Sequence, residues 1–251
     1  LRLQEVTYPA PHPYNWPTIG FHQDLDVATL DDAREFFQRF YSPSNASLAI
    51  AGDIKIGPTK ELVERYFSEL IPGPAVPRAR RTDSNLQGQI ELTLYDKVLL
   101  PRCYLVWPTV PRFHPDEAPL SLLADILGDG KSARLYQSLV YEKRIAQSVN
   151  AHNGGAEIAG DFELEVTASH GHAITEVEKV VRQEIERLKS KPPTNAEMSR
   201  AKNRIEWRHV LKLASVGGFG GRADQLNAFN VFQGDPNLIN EDLNRYLAVE
   251  A

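Results

Sequence analysis

Two hydrophobic periods alternate along the chain. Leu30, Ala33, Phe36, Phe37 and Phe40 recur every three or four residues, and so do Leu62, Val63, Tyr66, Phe67 and Leu70, and later Ile174, Val177, Val181, Ile185 and Leu188. That spacing places each set on one face of an α-helix, and the aromatic stripes are expected to be core. Thr29 opens the first helix as N-cap, with Asp31 and Asp32 in the first turn, where the helix dipole favours anions. Gly57-Pro58 opens the second. Pro192-Pro193 closes the third, and the capping box Thr194-Asn195-Ala196-Glu197 starts a long helix running to about Ala214. Elsewhere the period is two. Ile90, Leu92 and Leu94 oppose Glu91, Thr93 and Tyr95; Phe162, Leu164, Val166 and Ala168 oppose Glu163, Glu165 and Thr167. Both read as strands with one exposed face. Residues 46–51 and 146–151 are further expected strands, and 101–110 is apolar enough to sit centrally in a sheet. Gly154-Gly155 marks the turn before the 161–169 strand.

The periods are interrupted once on a large scale. Ile71 to Gly88 holds Pro72, Pro74, Pro77 and Gly73, then Arg78, Arg80 and Arg81. Repeated proline stiffens and extends a chain. Three regions follow: residues 1–71, a linker at 72–88, and residues 89–251. The fold class is α+β: two related domains, each a mostly antiparallel sheet packed against helices. The chain opens inside a helix that Pro9 and Pro11 stop. Leu247-Ala248-Val249-Glu250-Ala251 stands where Leu25-Asp26-Val27-Ala28-Thr29 stands before the helix and strand of the first part. The expectation is truncation at both ends, the first domain lacking its beginning and the second its last helix and strand.

Composition narrows the function classes. At 42% hydrophobic and 24% charged, the 251 residues can bury an ordinary core. No apolar run approaches the ~20 residues of a membrane span. Net charge is −5 with no long basic run, so neither nucleic acid nor membrane is an expected partner. The single cysteine, Cys103, lies in an apolar strand-like run with no neighbouring base, which fits a buried thiol.

Candidate chemistry is sparse. The seven histidines are His12, His22, His114, His152, His170, His172 and His209, and none has a second His four residues on. His12 reads as structural and His114 as a turn residue. His170-Gly171-His172 is the one close pair and the weak candidate for a metal, with no carboxylate or thiol placed beside it. Gly217-Gly218-Phe219-Gly220-Gly221 follows a helix rather than a strand and lacks the Gly-Lys-Ser/Thr ending, so it reads as a connection, not a phosphate loop. Ser132 and Ser138 have no local His partner. No carboxylate stands in a setting that would raise its pKa.

The stretch 125–149, DILGDGKSARLYQSLVYEKRIAQSV, is expected to form the end of a helix, a turn at Gly128-Asp129-Gly130, a second helix from about Ser132 carrying Leu135, Tyr136, Leu139 and Val140 on one face, and a strand from Ala146. With His12-Pro13-Tyr14, Tyr41-Ser42-Pro43-Ser44-Asn45-Ala46, Gly52-Asp53 and Arg65-Tyr66-Phe67, it resembles the pitrilysin/insulinase family of zinc metallopeptidases, specifically the non-zinc portion of a bacterial zinc-motif-bearing subunit. The resemblance covers nearly the whole chain. It implies an Arg and a Tyr, in the pattern L-R-x-x-x-x-x-x-Y, where this chain has Val140 and Gln147. It also implies a zinc motif H-x-x-E-H that none of the seven histidines forms, so no zinc or other cofactor is expected in this chain and zinc is expected in the intact parent.

What the resemblance then implies is a non-catalytic portion of a zinc-dependent endopeptidase, contributing chamber wall and dimer surface, with no catalytic residue of its own. Peptides would be bound through the parent, and a homologous subunit carrying the Arg–Tyr pair would complete the site as a heterodimer. The alternative is a structural or assembly protein of the same fold, like the core subunits of a respiratory complex. A third reading is an independent metal protein using His170 and His172. The compartment is not legible: soluble, periplasmic or cytoplasmic.

Overall fold

A computed structural model describes residues 2–251. In chain order the elements are α1 (Arg2–Thr7), α2 (His22–Val27), α3 (Leu30–Phe40), α4 (Ile56–Phe67), β1 (Arg102–Thr109), α5 (Glu117–Leu127), a π-helix (Tyr136–Glu142), β2 (Ala146–Gly155), β3 (Gly160–Ala168), α6 (Ile174–Ser190), α7 (Asn195–Ala214), α8 (Arg222–Gln233) and α9 (Asp242–Leu247). Helices and one small antiparallel sheet make the fold α+β. The chain divides into two compact units. One comprises the residues up to Pro17, Arg80–Glu206 and Asn244–Ala251; the other comprises Thr18–Ala79 and Trp207–Leu243.

The first unit is built on the sheet, in the order β1-β3-β2 with both pairings antiparallel. The period-two pattern of β3 is realised as read. Leu164, Val166 and Ala168 have no exposed surface and Phe162 little, and they pack with Leu135, Leu139, Val177 and Val181 in one core. The run expected to be central, 101–110, is instead an edge strand, and β3 is the central one. Its apolar character follows from packing rather than position, because Leu105 faces the core while Cys103 packs beside it. Burial raises the Cys103 thiol pKa.

The glycines at 154–155 do not make the turn; they end β2, and the reversal follows at 156–159, closed by the Ala156 N–H to the Ala159 carbonyl at 2.9 Å. A Cβ on Gly155 would lie 3.0 Å from the Arg112 backbone, so glycine is needed here for close approach. The N-terminal segment is tied to this hairpin. The Tyr8 hydroxyl donates to the Gly160 carbonyl, and the Tyr14 hydroxyl accepts from the Ile158 N–H at 3.1 Å. His12, 1% exposed, accepts from the Tyr14 N–H through Nδ1 at 3.0 Å, which leaves Nε2 to donate to the Thr82 carbonyl at 3.0 Å. With both nitrogens used by backbone, His12 is structural. Burial first, then the nearby Asp161, raises the Tyr8 pKa.

In the second unit, α3 begins at the expected cap. The Thr29 hydroxyl accepts from the Asp32 N–H at 3.2 Å, and the Asp32 carboxylate accepts from the Thr29 N–H at 2.8 Å. Gly234, at φ +78°, ends α8 in the left-handed conformation that favours glycine. Three expectations fail. The stripes of α3 and α4 are not core: neither helix has a buried residue, and Phe36, Phe37, Tyr66 and Phe67 are all more than half exposed. Nor do residues 46–51 or, in the first unit, 89–97 form strands; no ladder partner lies beside either among the described residues. A period of two marks which face a strand would bury, but the ladder needs a neighbour. Ile90, Leu92 and Leu94 accordingly remain exposed.

Candidate functional site

The stretch 117–155 is held from both ends. α5 stops at Gly128, where a Cβ would fall 2.7 Å from the Ala151 Cβ and 2.9 Å from its nitrogen, so the helix end sits directly on β2. Gly130, at φ +87°, turns the chain against the Arg204 guanidinium. Arg204 donates to the Asp129 carbonyl and pairs with the Asp129 and Asp125 carboxylates at 3.1 and 3.7 Å. Arg134 donates a two-pronged bond to Glu197, at 2.7 and 2.9 Å, and also reaches the Lys191 and Pro192 carbonyls. Glu197 closes the expected capping box at Thr194. The Arg134 bond, with the Thr194 bonds behind it, lowers the Glu197 pKa from 4.5 to about 2.

The second helix starts at Arg134 rather than Ser132, and it becomes a π-helix over Tyr136–Glu142. The Lys143 N–H bonds back five residues to the Ser138 carbonyl at 3.0 Å, and Ile145 bonds back six to Leu139. The wider turn rotates successive side chains away from the 3.6 period. Leu135 and Leu139 are therefore fully buried, while Tyr136 and Val140 are half-buried. Arg144 exits at φ +57°, and β2 begins with a bulge between Ala146 and Ser148. Gln147 is the bulged residue and is exposed. Bulges and π-turns re-aim side chains, and both occur often at functional sites. Here the two positions they present are an alkyl group and a neutral amide.

The metal candidates do not converge. His170 is exposed, and His172 Nδ1 lies 3.0 Å from Glu176 at the start of α6. Among the described residues no group of three or more His, Cys, Asp or Glu side chains could hold a metal ion. The loop 217–221 joins α7 to α8, with Gly218 and Gly220 at positive φ, as its reading as a connection requires. No described helix is long and apolar enough to cross a membrane.

One expectation about charge is overturned on the polar face of β3. Burial is the main cause raising the pKa of both Asp161 and Glu163, and the nearby His152 offsets part of it. Period two correctly separates Glu163, Glu165 and Thr167 from the core side. It does not show that β2 and β1 flank them on both sides and shield them from water.

The peptidase M16 inactive domain profile matches residues 28–205, well over half of the chain. The zinc protease PqqE of Helicobacter pylori is 28% identical over 213 residues, which is 84% of this chain and 48% of that protein. The chain spans about half the length of the curated relatives it matches. Among solved structures, a peptidase M16 inactive domain from Pseudomonas fluorescens superposes with a TM-score of 0.79 at 20% identity, covering 99% of this chain and 58% of that one. A chain of complex III2 from Candida albicans gives 0.72 at 17% identity, covering 99% and 60%. These two likenesses show a shared fold. By its profile match, and in agreement with the residues of 125–149, the chain belongs to the peptidase M16 inactive-domain family of the pitrilysin/insulinase zinc peptidases.

Proposed function

We propose that this chain is the non-catalytic portion of a zinc endopeptidase that encloses peptides, forming chamber wall and dimer surface while zinc is held elsewhere in the parent. Membership of an inactive-domain family makes it a non-catalytic part of a peptidase family. The single observation that carries the finer reading is the pair Val140 and Gln147. We assign them to the family's Arg and Tyr positions; Val140 lies on the π-helix and packs against the core, Gln147 lies at the bulge, and neither supplies a charge or a hydroxyl. Stabilising a developing oxyanion needs donors aimed at it, and a positively charged donor contributes most. Valine offers none. A homologous subunit bearing the pair would supply them, and the peptide would lie between the two.

The zinc is proposed to lie outside this chain: among the described residues no group of three or more His, Cys, Asp or Glu side chains could hold a metal ion, and His172 Nδ1 already lies 3.0 Å from Glu176. The domain division 1–71, 72–88 and 89–251 is part of the same proposal, the first region belonging to the zinc-bearing half. The exposed apolar faces of α3 and α4 support this, since they are surfaces that a larger α+β domain would cover.

The test is to mix the intact parent and an Arg–Tyr-bearing homologue with zinc and an unstructured peptide. Cleavage that needs both chains supports the reading; a peptide left uncut defeats it. The assembly-protein reading draws on the complex III2 likeness, which is of fold alone. It predicts no H-x-x-E-H in the parent and no cleavage under any combination.

A further inference from the structure

Between α4 and β1, residues 71–101 form neither helix nor strand. Over 71–95 the chain makes one backbone–backbone hydrogen bond among the described residues, from the Thr82 N–H to the Ile158 carbonyl at 3.2 Å. Upstream of that tie, the Ser44 hydroxyl donates to the Gly73 and Pro74 carbonyls at 3.0 and 3.5 Å. Between the two anchors lies Ala75-Val76-Pro77-Arg78-Ala79-Arg80-Arg81, the densest basic cluster of the chain. Arg80 and Arg81 are both exposed. Arg81 pairs with Asp83 at 3.3 Å, but the side chains are 51 and 83% exposed, too solvated to hold the backbone. No proline follows either arginine.

The other adjacent basic pair, Lys143-Arg144, supplies the contrast. Its side chains are exposed too, but its backbone is held. The Lys143 N–H bonds to the Ser138 carbonyl and the Ile145 N–H to the Leu139 carbonyl, both at 3.0 Å, and the Ser169 N–H bonds to the Ile145 carbonyl at 2.8 Å. Ile145 and Ala146, which follow the pair, are 4 and 3% exposed in the core. A protease must draw several residues on each side of the cut bond into its cleft, so its rate follows the local opening of the backbone and not side-chain exposure alone. Opening at Lys143-Arg144 pulls Ile145 from the core; opening at Arg80-Arg81 breaks few bonds. Lys97, in the same unladdered segment, stands alone and in a tight turn, with the Val98 N–H on the Asp96 carbonyl at 2.9 Å. In an extended chain two consecutive side chains point to opposite sides, so Arg80 and Arg81 together fit two separate acidic subsites.

We infer that Arg80-Arg81 is a limited-proteolysis site for an endoprotease specific for paired basic residues, and that the product is one two-chain protein and not two separate pieces. In the step, the carbonyl C–N bond after Arg80 or Arg81 breaks. Water supplies a hydroxyl to the carbonyl carbon and a proton to the departing nitrogen, and the new ends settle as a carboxylate and an ammonium. The break falls where the chain passes between its compact units, Ala79 closing a stretch of one and Arg80 opening a stretch of the other. Residues up to Pro17 nevertheless belong to the same unit as Arg80–Glu206. They are joined to it without the cut bond: Tyr8 donates to the Gly160 carbonyl, Tyr14 accepts from the Ile158 N–H, His12 meets the Thr82 carbonyl, and the Ser84 hydroxyl donates to the Thr7 carbonyl at 2.6 Å. This inference is independent of the proposed function, since the chain is here the substrate of another enzyme.

The experiment treats the folded 251-residue chain with a small amount of a serine endoprotease specific for paired basic residues and identifies the first products by mass spectrometry. The first cut should follow Arg80 or Arg81 and should be at least about tenfold faster than cutting at Lys143-Arg144. Short unfolded peptides spanning 76–86 and 138–148 should be cut at comparable rates, which places the contrast in the fold. Arg80→Gln with Arg81→Gln, both at exposed positions, should slow the first cut at least about tenfold. The nicked chain should leave a size-exclusion column as one species containing both fragments in equal amounts. The inference is overturned if the first cut falls elsewhere, if the isolated peptides show the same contrast as the folded chain, or if the double variant is cut as fast as the wild type. Fragments that part without denaturant overturn the two-chain product.

Discussion

Helices α3 and α6 look alike as sequence and behave oppositely as structure. Both carry apolar residues at helical spacing and both are strongly amphipathic. In α6, Val177 and Val181 are wholly buried against the sheet of the same unit. In α3, Leu30, Phe36 and Phe37 are 66, 52 and 57% exposed, and Phe36 meets the Phe37 and Phe40 rings of its own helix in edge-on and tilted contacts. An amphipathic pattern therefore states that a face needs a partner; it does not say that the partner lies within the chain. The difference also separates two energies. Burying a large apolar side chain contributes about 1.5–3 kcal/mol, and α6 realises that while α3 holds it in reserve.

The comparison breaks most readily at the centre of β3. Leu164→Ala should cost about 2–5 kcal/mol in urea unfolding, because the side chain is fully enclosed and its truncation opens a cavity in the core. A loss below about 1 kcal/mol would mean that this core is no better packed than α3. Next comes the Arg134–Glu197 pair, whose side chains are 14 and 15% exposed. Arg134→Met should cost about 1–2 kcal/mol, held below the range for a fully buried pair because water still reaches it.

That pair also sets a pH signature. The Glu197 pKa is lower folded than unfolded, chiefly through Arg134. Its contribution is therefore complete above about 4.5 and is lost as pH falls through about 2. Acid titration of the unfolding midpoint should show this decline over that window, and Glu197→Gln should reduce it. Helix caps give the next smaller effect. Thr194→Ala should cost about 0.5–2 kcal/mol in the cooperative unfolding of the sheet-bearing unit. The same change at Thr29 should reduce α3 helicity by circular dichroism while moving that transition little. Smallest of all, Phe37→Ser should change the stability of this chain by less than about 0.5 kcal/mol. In the longer parent the same change should be clearly destabilising, and if it is equally silent there, the face has no partner in the protein.

What the sequence made legible follows the same division. Local signals held where a single segment determines the outcome. Thr29 and Thr194 cap their helices, Gly128 ends α5, and the loop 217–221 connects two helices. The core side of β3 was also legible, since a period of two is a property of one strand. Signals that depend on a second segment did not carry over. Residues 46–51 and 89–97 have strand patterns without ladders, and 101–110 has a central-strand composition at an edge. The π-helix was hidden because Leu135 and Leu139 satisfy either period, and the wider turn shows only in what happens to Tyr136 and Val140. The raised carboxylates of Asp161 and Glu163 were missed for a related reason. Their shielding comes from β1 and β2, distant in sequence. For the candidate site, the sequence offers Val140 and Gln147 as the proposed departures from the family's Arg–Tyr pattern, whereas His152 meets the β3 carboxylates only once the sheet is formed.

The proposed role as the non-catalytic portion of a two-part peptidase is tested most directly by measuring metal content and peptide cleavage for the chain alone and for its intact parent alone. The chain should hold no zinc and cut nothing. The parent should hold one zinc and still leave an unstructured peptide uncut, because Val140 and Gln147 supply no substitute for the Arg–Tyr pair. Zinc in the isolated chain, or cleavage by the unaccompanied parent, would contradict it.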